Sequence, residues 1–267
     1  MTQSTSNTIT WIRAHWLELL LAFALLAMIT VSPTSLRAED SDLPSGEKIF
    51  DDYLKATGGN KARKKLVSRV TVASLDLAAQ GIKLNMTIYS ARPNLNYTVV
   101  ESEFTGKIEK GTDGKTVWEM SDMMGEQIKD GQERTDFLRE TNFDRFAAWR
   151  ELYSEAKCVG IETVDDRPAY KLLLTPVEGK QQTMYFDTES KLLLKHEFVI
   201  ENAMGSIPIT SHVSDYRKVD GVLMPFKVKA VVMDQERVLV TESVEHNVDL
   251  PTDKFELPQA IQALVGE

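Results

Sequence analysis

Cysteine is almost absent from this sequence, and histidine is scarce. The 267 residues include one cysteine, Cys158, and four histidines. A lone cysteine cannot form a disulfide within the chain, so the hydrophobic core has to stabilise the fold. His196, His212 and His246 lie far apart, and the sequence has no His-x-His or Glu-x-x-His spacing. We therefore predict that the protein binds no metal.

The sequence also lacks the short motifs that accompany common catalytic sites. It has no Gly-x-Ser-x-Gly elbow and no glycine-rich phosphate loop before a helix. Adjacent aspartates occur at 51–52 and 165–166. Adjacent side chains point apart on a strand and diverge by about 100° on a helix, so neither pair converges as acid and base would. We predict that the protein is not an enzyme and uses no cofactor.

Positive charge is in short supply. Lysine and arginine total 31 against 40 aspartates and glutamates, which gives a net charge of −9. Residues 1–38 hold two of the basic residues and one of the acidic ones, so the rest of the chain has 29 against 39 and a net charge of −10. Nucleic acids and anionic lipid surfaces attract basic proteins. We predict no nucleic-acid partner and no simple adsorption to anionic lipid.

Only one apolar run is long enough to concern a membrane. Residues 17–31 are apolar except for Glu18, and the small residue Ala38 follows a few positions later. The run is shorter than the roughly 20 residues of a spanning helix. A charged start, a short apolar stretch and a small-residue end make up a secretory signal peptide. We predict a signal peptide over 1–38, a linker over 39–46 and a periplasmic location, with a membrane-anchored N-terminus as the alternative.

Beyond the linker, the hydrophobic pattern changes from that of a helix to that of strands. Apolar residues at 49, 50, 53 and 54 predict a helix over 47–57, which Gly58 and Gly59 end. Further on, apolar and polar residues alternate, which is typical of strands with one buried face. The alternation predicts strands at 68–77, 82–88, 94–104, 115–120, 169–175, 183–187, 192–200, 207–218, 226–230 and 237–248.

The number of strands predicts the architecture. About ten consecutive strands with short connections form an up-and-down antiparallel sheet, and a sheet of that size curls. The predicted fold class is therefore mainly β (α+β): a curled, incompletely closed antiparallel β-barrel of about ten strands, with helices covering its concave face. We predict that this domain extends over 47–258 and that a C-terminal tail, 259–267, follows it.

Residues 132–157 interrupt the strand pattern. They lack glycine and proline and place Leu138, Phe146, Trp149 and Tyr153 at helical spacing, which predicts a helical insertion. Such an apolar face has to be covered, and the concave face of the sheet is the available partner. Methionines next to Trp118 suit either a surface that accepts varied apolar shapes or ordinary core. We predict a ligand cavity at this junction, lined by Trp118, Met120, Met123, Phe146, Trp149, Ile82, Leu84, Met86 and Ile88.

Four hairpin-like stretches follow one another in a familiar order. They are 113–118 (DGKTVW), 160–174, 185–193 (YFDTESKLL) and 219–228 (VDGVLMPFKV). Together, over 47–257, they resemble the lipoprotein-carrier (LolA/LolB-like) superfamily and its outer membrane lipoprotein-sorting relatives. The resemblance implies an incompletely closed barrel with helices across its mouth. It also implies an apolar cavity that receives the acyl chains of a lipoprotein in transit through the bacterial periplasm.

These observations leave three functions open. The protein is predicted to be a periplasmic carrier for lipid or lipoprotein acyl chains. It is alternatively an envelope module that binds lipid to sense stress, or a structural envelope protein with a filled core. The expected partners are acyl chains, with envelope proteins as further candidates, and the chain is expected to be a monomer. A cavity between the helical segment and the sheet favours the first two functions over the third.

Overall fold

Five helices accompany the strands in a computed structural model that describes residues 43–103, 106–202 and 205–266. The predicted signal peptide and the first half of the predicted linker, 39–42, lie outside the described residues. No helix within those three ranges is long and apolar enough to cross a membrane. The helices are α1 (Gly46–Ala56), α2 (Gly59–Arg63), α3 (Gly131–Thr141), α4 (Trp149–Leu152) and α5 (Gln259–Val265), and a single 3-10 turn spans Ala78–Gln80.

The strands form one antiparallel sheet. They are β1 (Ser68–Leu77), β2 (Ile82–Ala91), β3 (Leu95–Ser102), β4 (Gly106–Thr112), β5 (Val117–Ser121), β6 (Gly125–Lys129), β7 (Tyr153–Val164), β8 (Arg167–Pro176), β9 (Gln182–Asp187), β10 (Leu193–Asn202), β11 (Gly205–Val219), β12 (Val222–Val232) and β13 (Gln235–His246). Their order is β6-β5-β4-β3-β2-β1-β13-β12-β11-β10-β9-β8-β7. Each half of the chain is a meander, and β1 pairs with β13 to join the halves.

The predicted mainly β, antiparallel and open architecture is confirmed, but the strand count is not. The sheet has 13 strands rather than about ten, and it does not close into a barrel. The prediction missed β4 and β6 because each contains a single large apolar residue, Ile108 and Ile128, so no alternation is visible. It also missed the first part of β7, which was assigned to the helical insertion.

The sheet curves around α3. This helix packs against β5 and also against β10. Seven strands separate β5 from β10 in the sheet order. One helix can touch both only if the sheet bends round it, so the face that carries α3 is the concave one. The edge strands β6 and β7 are left unpaired with each other.

The pairing register shows which residues share the concave face. Paired residues on antiparallel strands point to the same side, and neighbours along a strand alternate. Met184, which packs beneath α1, pairs with His196, and the pairing continues through β11 to Ala230 on β12. Val228 lies two residues before Ala230 on β12 and therefore points to the same side. It pairs with Leu239 of β13, which pairs with Leu75 of β1, and Leu75 pairs with Leu84 of β2. The concave face therefore includes the predicted inward set Ile82, Leu84, Met86 and Ile88.

Helix α1 fills one part of the concave side with core. The oxygen of Ser45 caps its start by accepting a hydrogen bond from the Lys48 N–H at 3.2 Å. The predicted apolar stripe is confirmed, because Ile49, Phe50 and Tyr53 are buried. The Phe50 ring stacks on Trp149 at 5.0 Å and meets Phe186 edge-on at 5.8 Å. These contacts join α1 to a cluster that also includes Leu172, Leu174 and Met184.

The predicted single helix over 132–157 is wrong beyond Thr141. The chain turns over 142–148, forms the short α4, and enters β7 at Tyr153. The Asn142 Oδ1 atom accepts a hydrogen bond from the Asp144 N–H at 2.9 Å, a local bond that competes with helix continuation. Tyr153 is buried, and its strand gains a full ladder with β8. Pairing therefore outweighs the helical spacing of the aromatics.

The C-terminal segment covers part of the convex face. Trp118 and Tyr97 lie on this face together, with their rings 5.9 Å apart. The Lys254 Nζ atom lies 4.7 Å from the Tyr97 ring. Helix α5 packs against β6, and its Ile261 is fully buried. The predicted tail 259–267 thus contains a packed helix.

Candidate functional site

A cavity of about 890 Å³ lies between α3 and the concave face. Two alternating residues of β10, Phe198 and Ile200, form one wall, and Phe137 of α3 forms another. Near the β5–β6 hairpin, Met124 adds a further apolar residue to the lining. Ligand pockets in proteins are commonly about 300–1,000 Å³ and mostly apolar. The cavity is therefore large enough for a small ligand with a hydrocarbon body.

Charged residues frame this apolar patch, and they pair with one another. Lys129 lies 3.7 Å from Glu119 and 3.2 Å from Glu133. Lys110 lies 3.7 Å from the same Glu119, and its Nζ atom is 4.7 Å from the Phe137 ring. The lining has five acidic and three basic residues, so these ion pairs leave a small excess of negative charge around the apolar patch.

Beyond the residues that line the cavity, half-buried apolar side chains continue along the concave face. Met86 pairs with Val100, and Val100 pairs with Ile108. On the other side, Phe198 and Ile200 pair with Ile209 and Ile207 of β11. The structure leaves these side chains partly exposed, whereas the residues beneath α1 are fully covered. The concave side is therefore part packed core and part uncovered apolar surface.

A buried polar network separates the core from the cavity. The Gln182 Oε1 atom accepts a hydrogen bond from the Tyr153 hydroxyl at 3.2 Å and lies 3.1 Å from His196 Nε2. The Gln182 amide donates to Glu140 at 3.3 Å, and Glu140 forms an ion pair with Arg145. Burial lowers the pKa of the His196 imidazole well below its usual 6.5, and Arg145 lowers it further by charge repulsion. His196 is therefore a neutral member of this network at neutral pH.

This neutral histidine predicts acid sensitivity. In the unfolded chain the His196 imidazole gains a proton near pH 6.5, whereas in the native protein it stays neutral. The contribution of His196 to stability is therefore complete above that pH and is lost as the pH falls below it. We expect wild type to lose about 1.4 kcal/mol through this group between about pH 7.5 and pH 5.5. His196→Gln should remove that part of the loss in urea unfolding at the two pH values. His212→Gln is the surface control, and an unchanged loss in His196→Gln would contradict the prediction.

The structure separates the nine predicted lining residues into groups. Ile82, Leu84, Met86 and Ile88 lie on the concave face, whereas Phe146 and Trp149 pack against α1. Trp118 and Met120 alternate along β5 with Val117 and Glu119, which face the concave side, so Trp118 and Met120 face the opposite side. Met123 lies at a hairpin tip and is 78% exposed. The structure thus places four of the nine together on the concave face, and none of the nine is among the residues that line the 890 Å³ cavity. Their role in ligand binding stays a prediction.

The cavity residues that the prediction missed had a usable signal. The alternation over 192–200 puts Phe198 and Ile200 on the same face as His196. Phe137 stands in the helical segment, at a position that faces Lys110 of the sheet. The methionines and Trp118 drew the prediction toward β5 instead. Within the described ranges, no three His, Cys, Asp or Glu residues stand close enough to hold a metal ion, and the predicted absence of metal stays a prediction.

Comparison with known proteins identifies the fold. No protein-family model matches the chain, and no curated protein matches its sequence. A DUF1329 family protein from Desulfovibrio piger is 14% identical, with a TM-score of 0.58 over 80% of this chain and 98% of that one. A LolA superfamily protein from Nitrosomonas europaea is 13% identical, with a TM-score of 0.56 over 80% and 99%.

A third structure points the same way. A Vibrio parahaemolyticus domain described as an outer membrane lipoprotein-sorting protein is 13% identical, with a TM-score of 0.54 over 79% of this chain and 97% of that one. Identities this low establish a shared fold and leave function to be argued from the site. The resemblance to the LolA/LolB-like group is thus confirmed at the level of the fold.

Proposed function

We propose that this chain, with its LolA-like fold, binds an apolar ligand between α3 and the concave face of the sheet. The favoured ligand is the acyl chain of a lipid or lipoprotein. The cavity of about 890 Å³ is the observation that carries the proposal. Each CH₂ group moved from water into an apolar site contributes about 0.8 kcal/mol, so acyl chains bind without further chemistry. The role is that of a carrier rather than an enzyme.

The distribution of packed and uncovered surface supports binding over a purely structural role. A structural protein would fill its interior, as the residues around Phe50 do. The half-buried row from Met86 through Val100 to Ile108 and the cavity beside Phe198 are not filled in this way. The lipoprotein-sorting description of the Vibrio domain belongs to that protein, and it supports the choice of acyl chains here. We propose the same ligand, and that Ile82, Leu84, Met86 and Ile88 contact it.

The proposed location is the periplasm, reached through the signal peptide over 1–38. A soluble carrier with net charge −10 beyond that segment would not adsorb strongly to anionic lipid. Weak adsorption to membranes suits a carrier that takes up its ligand at a membrane and then dissociates from that membrane. A retained N-terminal anchor would instead favour the sensing role, because the binding domain would stay at one membrane.

Acyl-probe binding tests the proposal. Phe198→Ala and Phe137→Ala each remove an aromatic side chain from the cavity wall. Apolar contact with such a side chain contributes roughly 1.5–3 kcal/mol. We therefore expect each variant to bind a fluorescent fatty-acid probe at least about tenfold more weakly than wild type. Phe255→Ala, in the segment before α5, is the matched control and should leave the probe Kd unchanged. Probe titration followed by fluorescence gives the three constants. Equal affinity for wild type and both cavity variants would overturn the proposed site.

A further inference from the structure

A second, smaller cavity of about 200 Å³ lies where α2, the start of β1 and the 142–146 turn meet. Three arginines line it, Arg63, Arg69 and Arg145. Two carboxylates, Glu140 and Asp144, also reach it. Liquid water occupies about 30 Å³ per molecule, so the space holds the equivalent of roughly seven waters. This exceeds one water or chloride and is far too small for a macromolecular segment.

The two carboxylates already have cationic partners. Glu140 pairs with Arg145, and Asp144 pairs with Arg92. In the part of the chain that the structure describes, neither Arg63 nor Arg69 forms an ion pair. The walls therefore carry two guanidinium charges that no carboxylate offsets.

Several nitrogen atoms of these arginines have no hydrogen-bond partner among the described residues. Arg63 Nη2 donates to Thr57 Oγ1 at 2.6 Å, but Arg63 Nε is buried without a partner among the described residues. Arg145 likewise leaves Nε and Nη2 unpaired within that part of the chain. The Arg69 guanidinium lies 5.3 Å from the Phe143 ring centroid and has no hydrogen bond to the described residues. A buried polar group without a partner is costly, and its cost disappears when an acceptor binds.

The arrangement of these arginines is also electrostatically unfavourable by itself. Burial, together with repulsion from Arg63, lowers the pKa of the Arg69 guanidinium to about 10. Burial lowers the pKa of Arg63 as well. Two like charges held close in a partly desolvated cavity destabilise the fold unless they serve a purpose. An anion between them removes both costs together.

We propose that this cavity is a phosphoryl-binding site, with Arg63 and Arg69 as the charged clamp and Arg145 as an additional donor. Guanidinium forks match phosphate oxygens in pairs, and a phosphoryl group offers more acceptors than a carboxylate for the donors of three arginines. The group comes either from a free phosphate ester or from a phospholipid headgroup. Glu140 lines both this cavity and the larger apolar one. A phospholipid could thus place its phosphate here and its chains beside Phe198, an assignment that rests on the proposed function.

Calorimetric titration at constant ionic strength in phosphate-free buffer tests the site. Inorganic phosphate is the first probe, against wild type, Arg69→Gln and Arg69→Lys. Loss of charge-assisted hydrogen bonds should weaken phosphate binding at least about tenfold in Arg69→Gln and less in Arg69→Lys. Arg217→Gln removes the same charge from a side chain that is 53% exposed and should bind phosphate as wild type does. Because Arg69 makes no ion pair or hydrogen bond with the described residues, Arg69→Gln should melt no lower than wild type without phosphate.

Two results would overturn the phosphoryl site. One is equal phosphate affinity in wild type and Arg69→Gln. The other, which does not depend on any variant folding, is a wild-type melting temperature that phosphate raises no more than chloride at the same ionic strength. Either result leaves the acyl-binding proposal intact.

Short-chain lipids distinguish the two sources of the phosphoryl group. Dihexanoyl phosphatidic acid should bind more tightly than inorganic phosphate or dihexanoylglycerol, and Arg69→Gln should abolish its advantage over the glyceride. If phosphate binds but phosphatidic acid gains nothing from its chains, the site takes a free phosphate ester and the headgroup assignment is overturned. If phosphate binds and neither lipid does, the proposed acyl function fails while the phosphoryl site stands.

Discussion

Replacing Phe50 by alanine is expected to lower the free energy of unfolding by about 3–5 kcal/mol, the usual cost of truncating a large buried aromatic. Phe50 is 1% exposed, and its ring touches Trp149, Phe146 and Phe186. Its loss leaves a void between α1 and the sheet that the surrounding rings cannot close without moving α1. Urea unfolding followed by tryptophan fluorescence measures the change, provided that the m-value stays constant.

The cavity variant Phe198→Ala is the matched counterpart of Phe50→Ala. Phe198 is half-buried and borders empty space, so its truncation should cost less stability while weakening the acyl probe. Phe50→Ala should shift the probe Kd by no more than about twofold, since distant sites act independently. If both variants lost stability equally and neither lost probe affinity, the cavity beside Phe198 would be ordinary core. The structural role would then replace the binding role.

The second large effect is expected at Gly58, directly after α1. Its φ of +111° is a conformation that essentially only glycine adopts, and a Cβ there would overlap the carbonyl oxygen of Gly221. The approach is close because the Leu223 N–H donates to the Thr57 carbonyl at 3.1 Å, which ties the end of α1 to β12. Strain of about 1–3 kcal/mol and overpacking of about 1–3 kcal/mol add, so Gly58→Ala should destabilise by roughly 2–6 kcal/mol.

The neighbouring Gly59 offers the control. It also has a positive φ, +74°, but a Cβ on it would meet nothing within 4 Å. Gly59→Ala should therefore cost only the left-handed penalty, roughly 1–2 kcal/mol. Urea unfolding of the two variants side by side isolates the clash with β12. Equal losses would show that the junction between α1 and β12 yields easily, contrary to the prediction.

The sequence predicted those parts of the fold whose periodicity is strong. The stripe from Ile49 to Leu54 and the alternation from Ile82 to Ile88 each follow from one buried face, and both predictions hold. Polar strands such as β6 carry no such period, because their positions are set by pairing with β5 rather than by burial. The helix over 132–157 failed at its second half for the same reason, since β7 is specified by its partner β8.

The site was less accessible to sequence reasoning than the fold. Residue composition drew attention to Trp118 and the methionines, but only the register shows that Trp118 faces away from the cavity. The arginine cavity was wholly invisible in the sequence. Arg63, Arg69 and Arg145 belong to a helix, a strand and a turn, and no spacing brings them together before the sheet curls.

The pairing of β1 with β13 has a consequence for how the chain assembles. Each half of the sheet is a run of local hairpins that can form as its residues become available, but the central seam joins 68–77 to 235–246. Closing a loop of that length is slow, and contacts so distant in sequence lower the folding rate. Until the final strand is released from the ribosome or a translocation channel, β1 and β12 have open edges in the middle of the future sheet. Those edges are where a nascent chain of this protein is most exposed to aggregation and most in need of a chaperone.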